Sequence, residues 1–467
     1  MRNAAESRIP LASENLATTR RCTRDEPSWA PAELRWPLRV GVLIDLEWSP
    51  RAGGHVKSWE RLAEAATRLP DLVDLTIHLQ GRAGRVCIFA NNVRFATHRP
   101  VFSTAMLLAR SSVPDHTDLA PLHPGLLNRL WRYDVIHTTD AHFAYARTAR
   151  LAARLWNTAL VHSVHTETSG YTRLYSEMLL QRLPAVLGRP LIDKLHLPDR
   201  LANRMTRRLQ HHLAACDKVL LSARGDPARL GLPAAGPRIG LLRRGIDKDA
   251  FNPKHRDRTR LEATYGVPPE RAVLMFAGRI EHGKSVMTLA AAARRLLDRG
   301  LNLAVVMAGD GSERDSVLKL LGDRAVLPGT VDPKTLAWLY ASSDLFVFPS
   351  RIEESPNVVL EAKACGVPVL VAPGGGDVFV AKTGADGIIV ADPSPESWAT
   401  AIGELLGSPA RRAALAEAAR ADVVNNRPSW DDVLAEDLIP VWQAAVAAHA
   451  RRPRPANPDL ARTQRAR

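Results

Sequence analysis

The 467-residue sequence lacks several features that would point directly to a class of protein. It has no charge-free apolar run long enough to span a membrane, so we expect no transmembrane helix. Its first residues have no long apolar core and do not resemble a secretory signal. Aromatic residues make up only 5% of the chain and are not interleaved with basic ones, which weighs against a nucleic-acid partner. Neither a Walker-type loop nor a Gly-x-Ser-x-Gly nucleophile elbow is present.

Cysteine is also scarce. The chain contains four cysteines, Cys22, Cys87, Cys216 and Cys365, which lie far apart along the sequence. No close pair indicates a zinc site or a redox couple, and scattered thiols in a large chain are typical of a reducing compartment. Acidic residues are not clustered as a dedicated metal site requires. The sequence therefore predicts a cytoplasmic protein with no cofactor and no tightly bound metal.

Positive charge, in contrast, is plentiful, with a formal net charge of +14 at pH 7. It is concentrated in residues 171–216 and in the tail 451–467, where six arginines stand against Asp459. Three prolines break any helix in the tail, which we predict to be disordered. Basic surfaces of this kind attract nucleotides, acidic lipids or nucleic acid, and the scarcity of aromatic residues makes nucleic acid the weakest of these options.

Between two polar ends, the chain contains two series of alternating strands and helices. Residues 1–37 show no sustained periodicity and are predicted to be a disordered extension. The first series occupies residues 38–250 and the second 251–430, with a polar, charged link at the start of the second; a last helix is expected at 431–450. Because such alternation implies parallel pairing, we predict two α/β domains with doubly wound sheets. The predicted strands are Val40–Asp45, Leu75–Leu79, Val86–Ala90, Asp134–His137, Ala159–Val164, Lys218–Ser222, Val273–Ala277, Leu303–Ala308, Leu345–Phe348, Pro368–Ala372 and Gly387–Val390.

Ligands of open α/β sheets bind beyond the carboxyl ends of the strands, so the loops at those ends are the first candidates for a ligand site. The strand ending at Ala277 is followed by a glycine-containing loop with Arg279 and Lys284 and then by a helix. A helix start favours anions, and two cations beside it would add charge-assisted hydrogen bonds. The loop is thus a candidate phosphate site. The alternative, two solvated charges beside a glycine turn, is equally compatible with this segment taken alone.

Two glutamates follow a later strand. Glu353 lies in the loop after Phe348, and Glu361 lies about one and a half turns inside the next predicted helix. Both carboxylates could face a ligand over the helix start, where Glu361 would accept hydrogen bonds from ribose hydroxyls. The alternative is an acidic first turn that complements the helix dipole, and for this motif alone that alternative is favoured.

The start of that helix is predicted from Ser355 as N-cap and Pro356 as first helical residue. The backbone N–H groups of the next residues, Asn357 and Val358, would then be free to bind phosphate.

Four positions in the first domain are weaker candidates. Gly53 and Gly54 follow the first strand and could lie beside a phosphate, although a lone Gly-Gly pair is more often a simple turn. His137 and His165 each end a predicted strand, where a structural role is favoured over a catalytic one from position alone. In the second domain, the glycines at 374–376 permit either close backbone approach to a ligand or a flexible connection.

Taken together, these motifs resemble the retaining family 4 glycosyltransferases. The resemblance is strong over about residues 240–400 and is carried by five segments, Gly245–Asp247 with Phe251–Pro253, Gly278–Lys284, Ala308–Arg314, the glutamates 353 and 361, and Glu361–Val369. It implies a GT-B fold, in which two Rossmann-like domains face each other across a cleft. It also implies that a nucleotide-diphosphate sugar is the donor, held mainly by the second domain.

The resemblance further assigns roles to residues. It places Arg279 and Lys284 on the diphosphate, Glu361 on the ribose and Glu353 at the transferred sugar. The predicted catalytic residues are Glu353, His137 and His165, and the predicted donor-binding residues are Gly53, Gly54, Arg279, Lys284, Asn357, Val358 and Glu361. The last helix would cross back onto the first domain.

Two departures from the family pattern qualify this assignment. Thr139 stands where many relatives have a second histidine after the one at 137, which removes a histidine contact to the sugar. Glu354, Ser355 and Pro356 replace a commoner Gly-Phe-Gly, and the proline removes one N–H group from the helix start.

The acceptor is not identified by the sequence. Leucines lie among the arginines of residues 171–216, so this stretch could rest on an anionic membrane and the acceptor could be a lipid, or it could be a helical insertion packed on the first domain. Alternative functions are a nucleotide-sugar epimerase or hydrolase and a non-catalytic nucleotide-sugar binding protein.

Overall fold

The computed structural model describes residues 36–49, 52–103, 117–165, 168–181, 183–222, 227, 230, 232, 236–353 and 356–451. The predicted disordered segments 1–37 and 451–467 lie outside the described residues, apart from residues 36, 37 and 451. Cys22, Glu354 and Ser355 also lie outside them.

The first of two sheets has eight strands and lies in the first half of the chain. The strands are β1 (Leu38–Glu47), β2 (Val73–Gln80), β3 (Arg85–Ala90), β4 (Val93–His98), β5 (Val135–Thr138), β6 (Ala159–Ser163), β7 (Lys218–Leu221) and β8 (Ile239–Leu241). Their order is β3-β4-β2-β1-β5-β6-β7-β8. All neighbours pair in parallel except β3, which runs antiparallel to β4. We call this sheet and its flanking helices the first lobe.

The second sheet has six strands, all parallel. They are β9 (Ala272–Ala277), β10 (Leu303–Ala308), β11 (Ala325–Gly329), β12 (Leu345–Phe348), β13 (Val369–Val371) and β14 (Ile388–Ile389). Their order is β11-β10-β9-β12-β13-β14. Successive strands are thus added on one side of β9 up to β11 and on its other side from β12 onward. We call this sheet and its helices the second lobe. The carboxyl ends of β9 and β12 are thus adjacent, which is where doubly wound sheets bind ligands.

Helices flank both sheets. In the first lobe they are α1 (Gly54–Ala66), α2 (Pro124–Leu130), α3 (Ala144–Trp156), α4 (Thr168–Gln181), α5 (Ala185–Arg189), a π-helical turn (Pro190–Lys194) and α6 (Leu197–Ala215). In the second lobe they are α7 (Arg258–Tyr265), α8 (Val286–Asp298), α9 (Arg314–Leu321), α10 (Pro333–Ala341), α11 (Asn357–Ala364), α12 (Pro395–Leu406) and α13 (Pro409–Asn426), with short 3₁₀ turns at Pro253–His255, His282–Lys284, Gly322–Arg324 and Gly376–Phe379. The chain ends in α14 (Trp430–Asp432), a π-helical segment (Val433–Leu438) and α15 (Ile439–Ala450).

Local sequence explains these boundaries. The Asp332 side chain accepts hydrogen bonds from the Lys334 and Thr335 amides, and Pro333 is the first residue of α10, a favourable combination at a helix start. Helix α3 ends at Asn157, which adopts the left-handed conformation that asparagine tolerates. The stripe of Val286, Leu289, Ala293 and Leu296 on α8 is buried against the second sheet, as its spacing predicts.

The last helical run packs against the first sheet. Leu438, Ile439 and Trp442 are buried in the same hydrophobic cluster as Val40 and Val42 of β1. This contact ties the end of the chain to the first lobe.

Several elements differ from the sequence-based expectation. Strand β4 was not predicted, and the tight turn at Asn91 and Asn92 makes β3 and β4 an antiparallel hairpin rather than a parallel pair. Strands β8 and β11 were also missed because they are short or weakly patterned. The predicted polar link at the start of the second domain contains helix α7. The predicted domain limits stay predictions.

The basic stretch 171–216 forms α4, α5 and α6, and α4 packs closely along α6. Within the described part of the chain, no helix combines the length and apolar character needed to cross a bilayer.

Candidate functional site

The loop after β9 is shaped by glycine. Gly278 has a φ of +140° and Gly309, after β10, a φ of +148°, a region that favours glycine. A Cβ atom on Gly309 would lie 1.9 Å from the Gly278 carbonyl oxygen, so the two loops touch only because this side chain is absent. The Arg279 guanidinium that follows is half-buried, and its Nε lies 3.0 Å from Oε1 of the buried Glu281.

Lys284 and Glu353, which come from different strand ends, form an ion pair through Nζ and Oε1. The side chains are only 13% and 14% exposed. Glu353 Oε1 also accepts a hydrogen bond of 2.7 Å from the Ser350 hydroxyl. Burial lowers the pKa of Lys284, but the Glu353 carboxylate and the Tyr171 hydroxyl together raise it, so that the pKa lies above its usual value. Lys284 is therefore a positive charge held at the carboxyl ends of β9 and β12.

The glycines at 374–376 support the Glu353 loop. The Glu353 amide donates to the Gly374 carbonyl over 2.9 Å, and a Cβ atom on Gly375 would lie 1.8 Å from the Ser350 carbonyl oxygen. The close backbone approach that the sequence allowed is thus an approach between two protein loops.

Helix α11 begins one residue later than predicted. Pro356 has extended angles (φ −77°, ψ 107°) and occupies the N-cap position, so it is not the first helical residue, and the predicted cap Ser355 lies outside the described residues. The helix starts at Asn357 because the Val359 amide is the first to bond back, to the Pro356 carbonyl at 3.2 Å. As the first two helical residues, Asn357 and Val358 have no acceptor within the helix for their N–H groups.

The Asn357 side chain links the two lobes. Its Nδ2 donates to the Ser58 hydroxyl of α1 over 2.9 Å, and that hydroxyl donates to the Gly54 carbonyl over 2.8 Å. The Asn357 Oδ1 atom is buried and accepts no hydrogen bond from the described residues. A Cβ atom on Gly53 or Gly54 would meet no atom within 4 Å. The predicted glycines therefore start α1 beside open space, close to the helix start of α11.

Glu361 lies deeper in α11. Burial raises its pKa to about 7, although the hydrogen bond from the Tyr340 hydroxyl (3.2 Å to Oε2) and the charge of Arg61 on α1 act in the opposite direction. Its carboxyl group is thus balanced between its two protonation states near neutral pH.

A residue that the sequence did not indicate completes the cluster. Tyr171 on α4 of the first lobe donates its hydroxyl to the Ile352 carbonyl over 2.9 Å and lies 3.4 Å from Lys284 Nζ. Tyr175 stacks on Tyr171 with centroids 6.1 Å apart, and its hydroxyl oxygen would lie 3.3 Å from a Cβ atom on Gly283. No motif signals these contacts, because Tyr171 and Lys284 are distant in sequence and meet only through the fold.

His137 lies in the interior of the first lobe, fully buried. The Trp442 indole N–H donates to its Nδ1 over 2.9 Å, which leaves the proton on Nε2, 2.7 Å from the Ser163 hydroxyl. Burial holds the pKa of His137 well below its usual value. With both nitrogens bonded, the ring packs as a neutral structural group. Its predicted catalytic role stays a prediction, and the contacts favour the structural alternative.

His165 is also buried, with Nε2 2.7 Å from the Ser163 hydroxyl and its ring stacked on His55 at 4.4 Å. Burial, followed by the charges of His55 and Arg244, holds its pKa well below the usual value. Arg244, in the connection between the lobes, lies 3.4 Å from Nδ1. His165 is nearer the inter-lobe side than His137, but as placed it too is a neutral ring.

The second-lobe residues therefore form one arrangement. Two cations, each paired with a carboxylate (Arg279 with Glu281, Lys284 with Glu353), lie with the start of α11 at the adjacent ends of β9 and β12. First-lobe side chains reach them at Lys284 and Asn357. Such a set can bind a doubly charged anion and hydroxyl groups. No group of three or more His, Cys, Asp or Glu side chains placed to hold a metal ion occurs among the described residues.

Comparison with known proteins gives a consistent result. The family model for glycosyl transferases group 1 matches residues 257–422, which contain the arrangement above. The D-inositol 3-phosphate glycosyltransferase of Xylanimonas cellulosilytica is 30% identical over 336 residues, covering 68% of this chain and 74% of that protein.

Two solved structures share the fold. Sucrose-phosphate synthase of Thermosynechococcus elongatus superposes with a TM-score of 0.62 at 18% identity, over 92% of this chain and 99% of its own. HepE of Anabaena, solved with UDP and glucose, gives a TM-score of 0.57 at 18% identity, over 92% and 100%. The predicted GT-B fold is confirmed. The chain belongs to the group 1 glycosyltransferases, as its resemblance to the retaining family 4 enzymes indicated, and is a glycosyltransferase.

Proposed function

We propose that the chain transfers a sugar from a nucleotide-diphosphate sugar to a hydroxyl acceptor, with retention of configuration and without a metal. The observation that carries this proposal is the Lys284–Glu353 pair, held beside Arg279 and the start of α11 at the switch point of the second sheet. A diphosphate placed there would meet two cations and two free amides.

In the proposed mechanism, the bond between the anomeric carbon and the phosphate oxygen breaks, and its electron pair goes to the leaving diphosphate. Arg279, Lys284 and the amides of Asn357 and Val358 stabilise the negative charge that grows there, which is the part a metal plays in other transferases. The acceptor oxygen bonds to the anomeric carbon on the face that the phosphate leaves, and its proton passes to a phosphate oxygen. Front-face attack accounts for retention without a protein nucleophile.

The two glutamates have different proposed tasks. Glu361, inside α11, accepts hydrogen bonds from the ribose hydroxyls in its ionised form. Glu353 turns toward the hydroxyl groups of the sugar once the diphosphate neutralises Lys284. The buried Asn357 Oδ1 atom, at the same helix start, is available to a donor hydroxyl or amide.

For the donor, UDP-sugars are the first candidates. HepE, which shares the fold, was solved with UDP and glucose and with UDP-glucose. GDP- and ADP-sugars are the comparison set.

For the acceptor, two classes stand out. Relatives at 30% identity are named for D-inositol 3-phosphate, a phosphorylated polyol. A membrane lipid is supported by the surface of α4–α6. Leu179, Leu183, Leu187 and Leu195 are between 42% and 65% exposed there. Arg200, Arg204, Arg207 and Arg208 are exposed on α6, and none of the four forms an ion pair with a described residue. Such a surface suits the anionic inner face of a membrane.

Donor binding is tested by thermal shift with UDP-, GDP- and ADP-sugars, with and without EDTA. We expect one class to raise the melting temperature equally under both conditions. Lys284→Ala and Arg279→Ala should abolish the shift, whereas Lys319→Ala, an exposed lysine of α9, should leave it intact. A shift that survives both site substitutions, or that EDTA removes, contradicts the proposal.

Turnover distinguishes transfer from the alternatives. With the preferred donor and an acceptor, a transferase releases nucleoside diphosphate and forms a glycoside. An epimerase needs no acceptor and keeps the nucleotide attached to the sugar. A binding protein releases no nucleotide. D-inositol 3-phosphate and vesicles of anionic lipid serve as the two acceptors. Salt-sensitive flotation with anionic but not zwitterionic vesicles is expected if the acceptor is a lipid, and its loss in an Arg204→Glu, Arg207→Glu, Arg208→Glu variant locates the surface.

A further inference from the structure

Helix α1 of the first lobe meets helix α11 of the second. The Asn357 side chain donates to the Ser58 hydroxyl over 2.9 Å, and Ser58 is buried at this contact. Arg61 follows Ser58 by three residues on α1. Glu361 follows Asn357 by four residues on α11. Because residues three or four apart share one face of a helix, Arg61 and Glu361 lie on the two faces that meet. The lobes are therefore joined here by a hydrogen bond and, one turn further along each helix, by facing opposite charges.

Arg61 uses only part of its guanidinium group within α1. Its Nη1 pairs with Glu64 at 3.0 Å, and neither Nη2 nor Nε forms a hydrogen bond with a described residue. Glu361 accepts one hydrogen bond on Oε2, from the Tyr340 hydroxyl of α10, whose pKa burial raises well above its usual value. Its Oε1 atom accepts none from the described part of the chain. Each of the two charged side chains thus keeps unused hydrogen-bonding capacity.

The other ionisable groups around Glu361 do not take the place of Arg61. On α13, Arg420 donates to main-chain carbonyls. On α11 itself, Lys363 is paired with two aspartates, and burial raises the pKa of the Cys365 thiol, which stays neutral. The cation that acts on Glu361 therefore comes from the first lobe.

We propose that Arg61 is a positioning residue for the donor, because from the first lobe it holds Glu361 in the ionised form that accepts hydrogen bonds from the ribose. This inference rests on the proposed role of Glu361. A buried carboxyl group without a nearby cation favours its protonated form, and Arg61 opposes that protonation. Glu64 shares the same guanidinium group and so weakens the effect of Arg61 on Glu361.

The test is the pH profile of donor binding, measured on the full-length chain by isothermal titration calorimetry. The probes are UDP-, GDP- and ADP-glucose, and the one that binds is used. Their diphosphate is esterified at both ends, so its charge is constant between about pH 6 and pH 8. A change in the profile therefore reports a group of the protein.

Two substitutions on α1 should shift the profile in opposite directions. Arg61→Gln should move it toward higher pH by about 0.5 unit, which weakens binding about threefold at pH 6 and by less than about 1.5-fold at pH 8. Glu64→Gln frees the guanidinium group for Glu361 and should move the profile toward lower pH, so that binding at pH 6 becomes about two- to threefold tighter. A purely structural role of α1 would not give shifts of opposite sign.

Three further variants serve as controls. Arg61→Lys keeps the positive charge and should restore most of the wild-type profile. Arg68→Gln removes an exposed cation that pairs with Asp431 and should leave the profile unchanged. In a Glu361→Gln background, Arg61→Gln should cause no further shift, because the group on which it acts is gone.

The outcomes separate this inference from the proposed function. An Arg61→Gln profile that coincides with the wild type, or a shift that persists in the Glu361→Gln background, overturns the inference and leaves the donor site as proposed. If Glu361→Gln keeps the wild-type profile, the ribose role of Glu361 is wrong and the inference is overturned with it.

Discussion

Among the described residues, the first lobe buries eight histidines, whereas the second lobe buries none and encloses a lysine among carboxylates. The buried histidines are His78, His98, His123, His137, His142, His162, His165 and His212. Several of them bond to one another or to hydroxyl groups, as in the 2.8 Å contact between His78 and His98 and the 2.9 Å hydrogen bond between Thr138 and His162. Burial lowers the pKa of seven of them, so these histidines are neutral in the folded first lobe at neutral pH.

In the second lobe the ammonium group of Lys363 is fully buried. It donates to the Phe379 carbonyl (2.7 Å), Asp386 (2.8 Å) and Asp422 (2.6 Å), and the pKa values of both aspartates are lowered. A buried ammonium group paired with carboxylates therefore lies in the interior of the second lobe, which also carries ion pairs at the strand ends where the candidate site lies. The contrast agrees with the proposal that the second lobe binds the charged donor.

The largest expected effect is an acid-induced loss of stability confined to the first lobe. A histidine whose folded pKa is lowered binds fewer protons than in the unfolded chain, so its contribution is complete above pH 6.5 and is lost as the pH falls. With folded pKa values of about 4 and 3, His98 and His162 alone should cost about 2 kcal/mol each at pH 5. Hydrogen exchange by mass spectrometry at pH 8 and 5, corrected for intrinsic rates, should show first-lobe peptides losing protection.

Buried carboxyl groups also change the stability of each lobe as the pH falls. Burial raises the pKa of Asp45 to about 7, so protonation of this carboxylate at pH 5 offsets part of the loss of stability in the first lobe. The offset is small because seven histidines act in the opposite direction. In the second lobe, the lowered pKa values of Asp386 and Asp422 preserve their contribution until the pH falls below about 4, and Glu361 becomes more favourable as it protonates. Equal loss of protection in both lobes at pH 5 would contradict the idea that buried neutral histidines make the first lobe the acid-sensitive one.

Removing the buried ammonium should come next in size. Lys363→Ala leaves the carboxylates of Asp386 and Asp422 without their shared partner, at a cost of about 3–5 kcal/mol in the free energy of unfolding. Urea denaturation followed by fluorescence measures it. Lys334→Ala, an exposed lysine of α10, is the control and should change stability by less than about 0.5 kcal/mol. A loss below about 1 kcal/mol for Lys363→Ala would show that the ion cluster is not a structural centre of the second lobe.

Donor affinity should depend on pH through Glu361. Only the ionised carboxyl group accepts hydrogen bonds from two ribose hydroxyls, so with a pKa of about 7 the affinity should rise about tenfold between pH 6 and pH 8. Isothermal titration calorimetry with the preferred nucleotide-diphosphate sugar measures this rise. Glu361→Gln should bind more weakly and show a flat profile. A slope that persists in this variant would have to come from another group.

The smallest effect tests the contact between the lobes. Tyr171→Phe removes the hydroxyl shared by Ile352 and Lys284, and we expect the KM for the donor to rise about fivefold, with a smaller change in kcat. Tyr175→Phe, which keeps the stacked ring beside Gly283, is the matched control and should change KM less. Equal effects of the two substitutions would mean that the helix, rather than the Tyr171 hydroxyl, supports the site.

Much of the second lobe could be predicted from the sequence. Its strands are short apolar runs, and its candidate site residues lie within one continuous segment, so local patterns and the family resemblance predict Arg279, Lys284, Glu353 and Glu361 together as a site. The start of α11 was misplaced by one residue because Ser-Pro is an equally good cap one position earlier. The hairpin of β3 and β4 was missed because its alternation is weak and its turn is an Asn-Asn pair.

The sequence by itself determined where charge is available, which strand ends carry it and that two α/β units follow one another. Only the tertiary structure decided that Lys284 bonds to Glu353 and that Tyr171 reaches Lys284 and the Ile352 carbonyl from the other lobe. It also decided that Trp442, in the last helix, fixes the proton of His137. The physical reason is distance along the chain. Helix caps and strand patterns depend on neighbouring residues, whereas a hydrogen bond between residues hundreds of positions apart depends on how every intervening element packs.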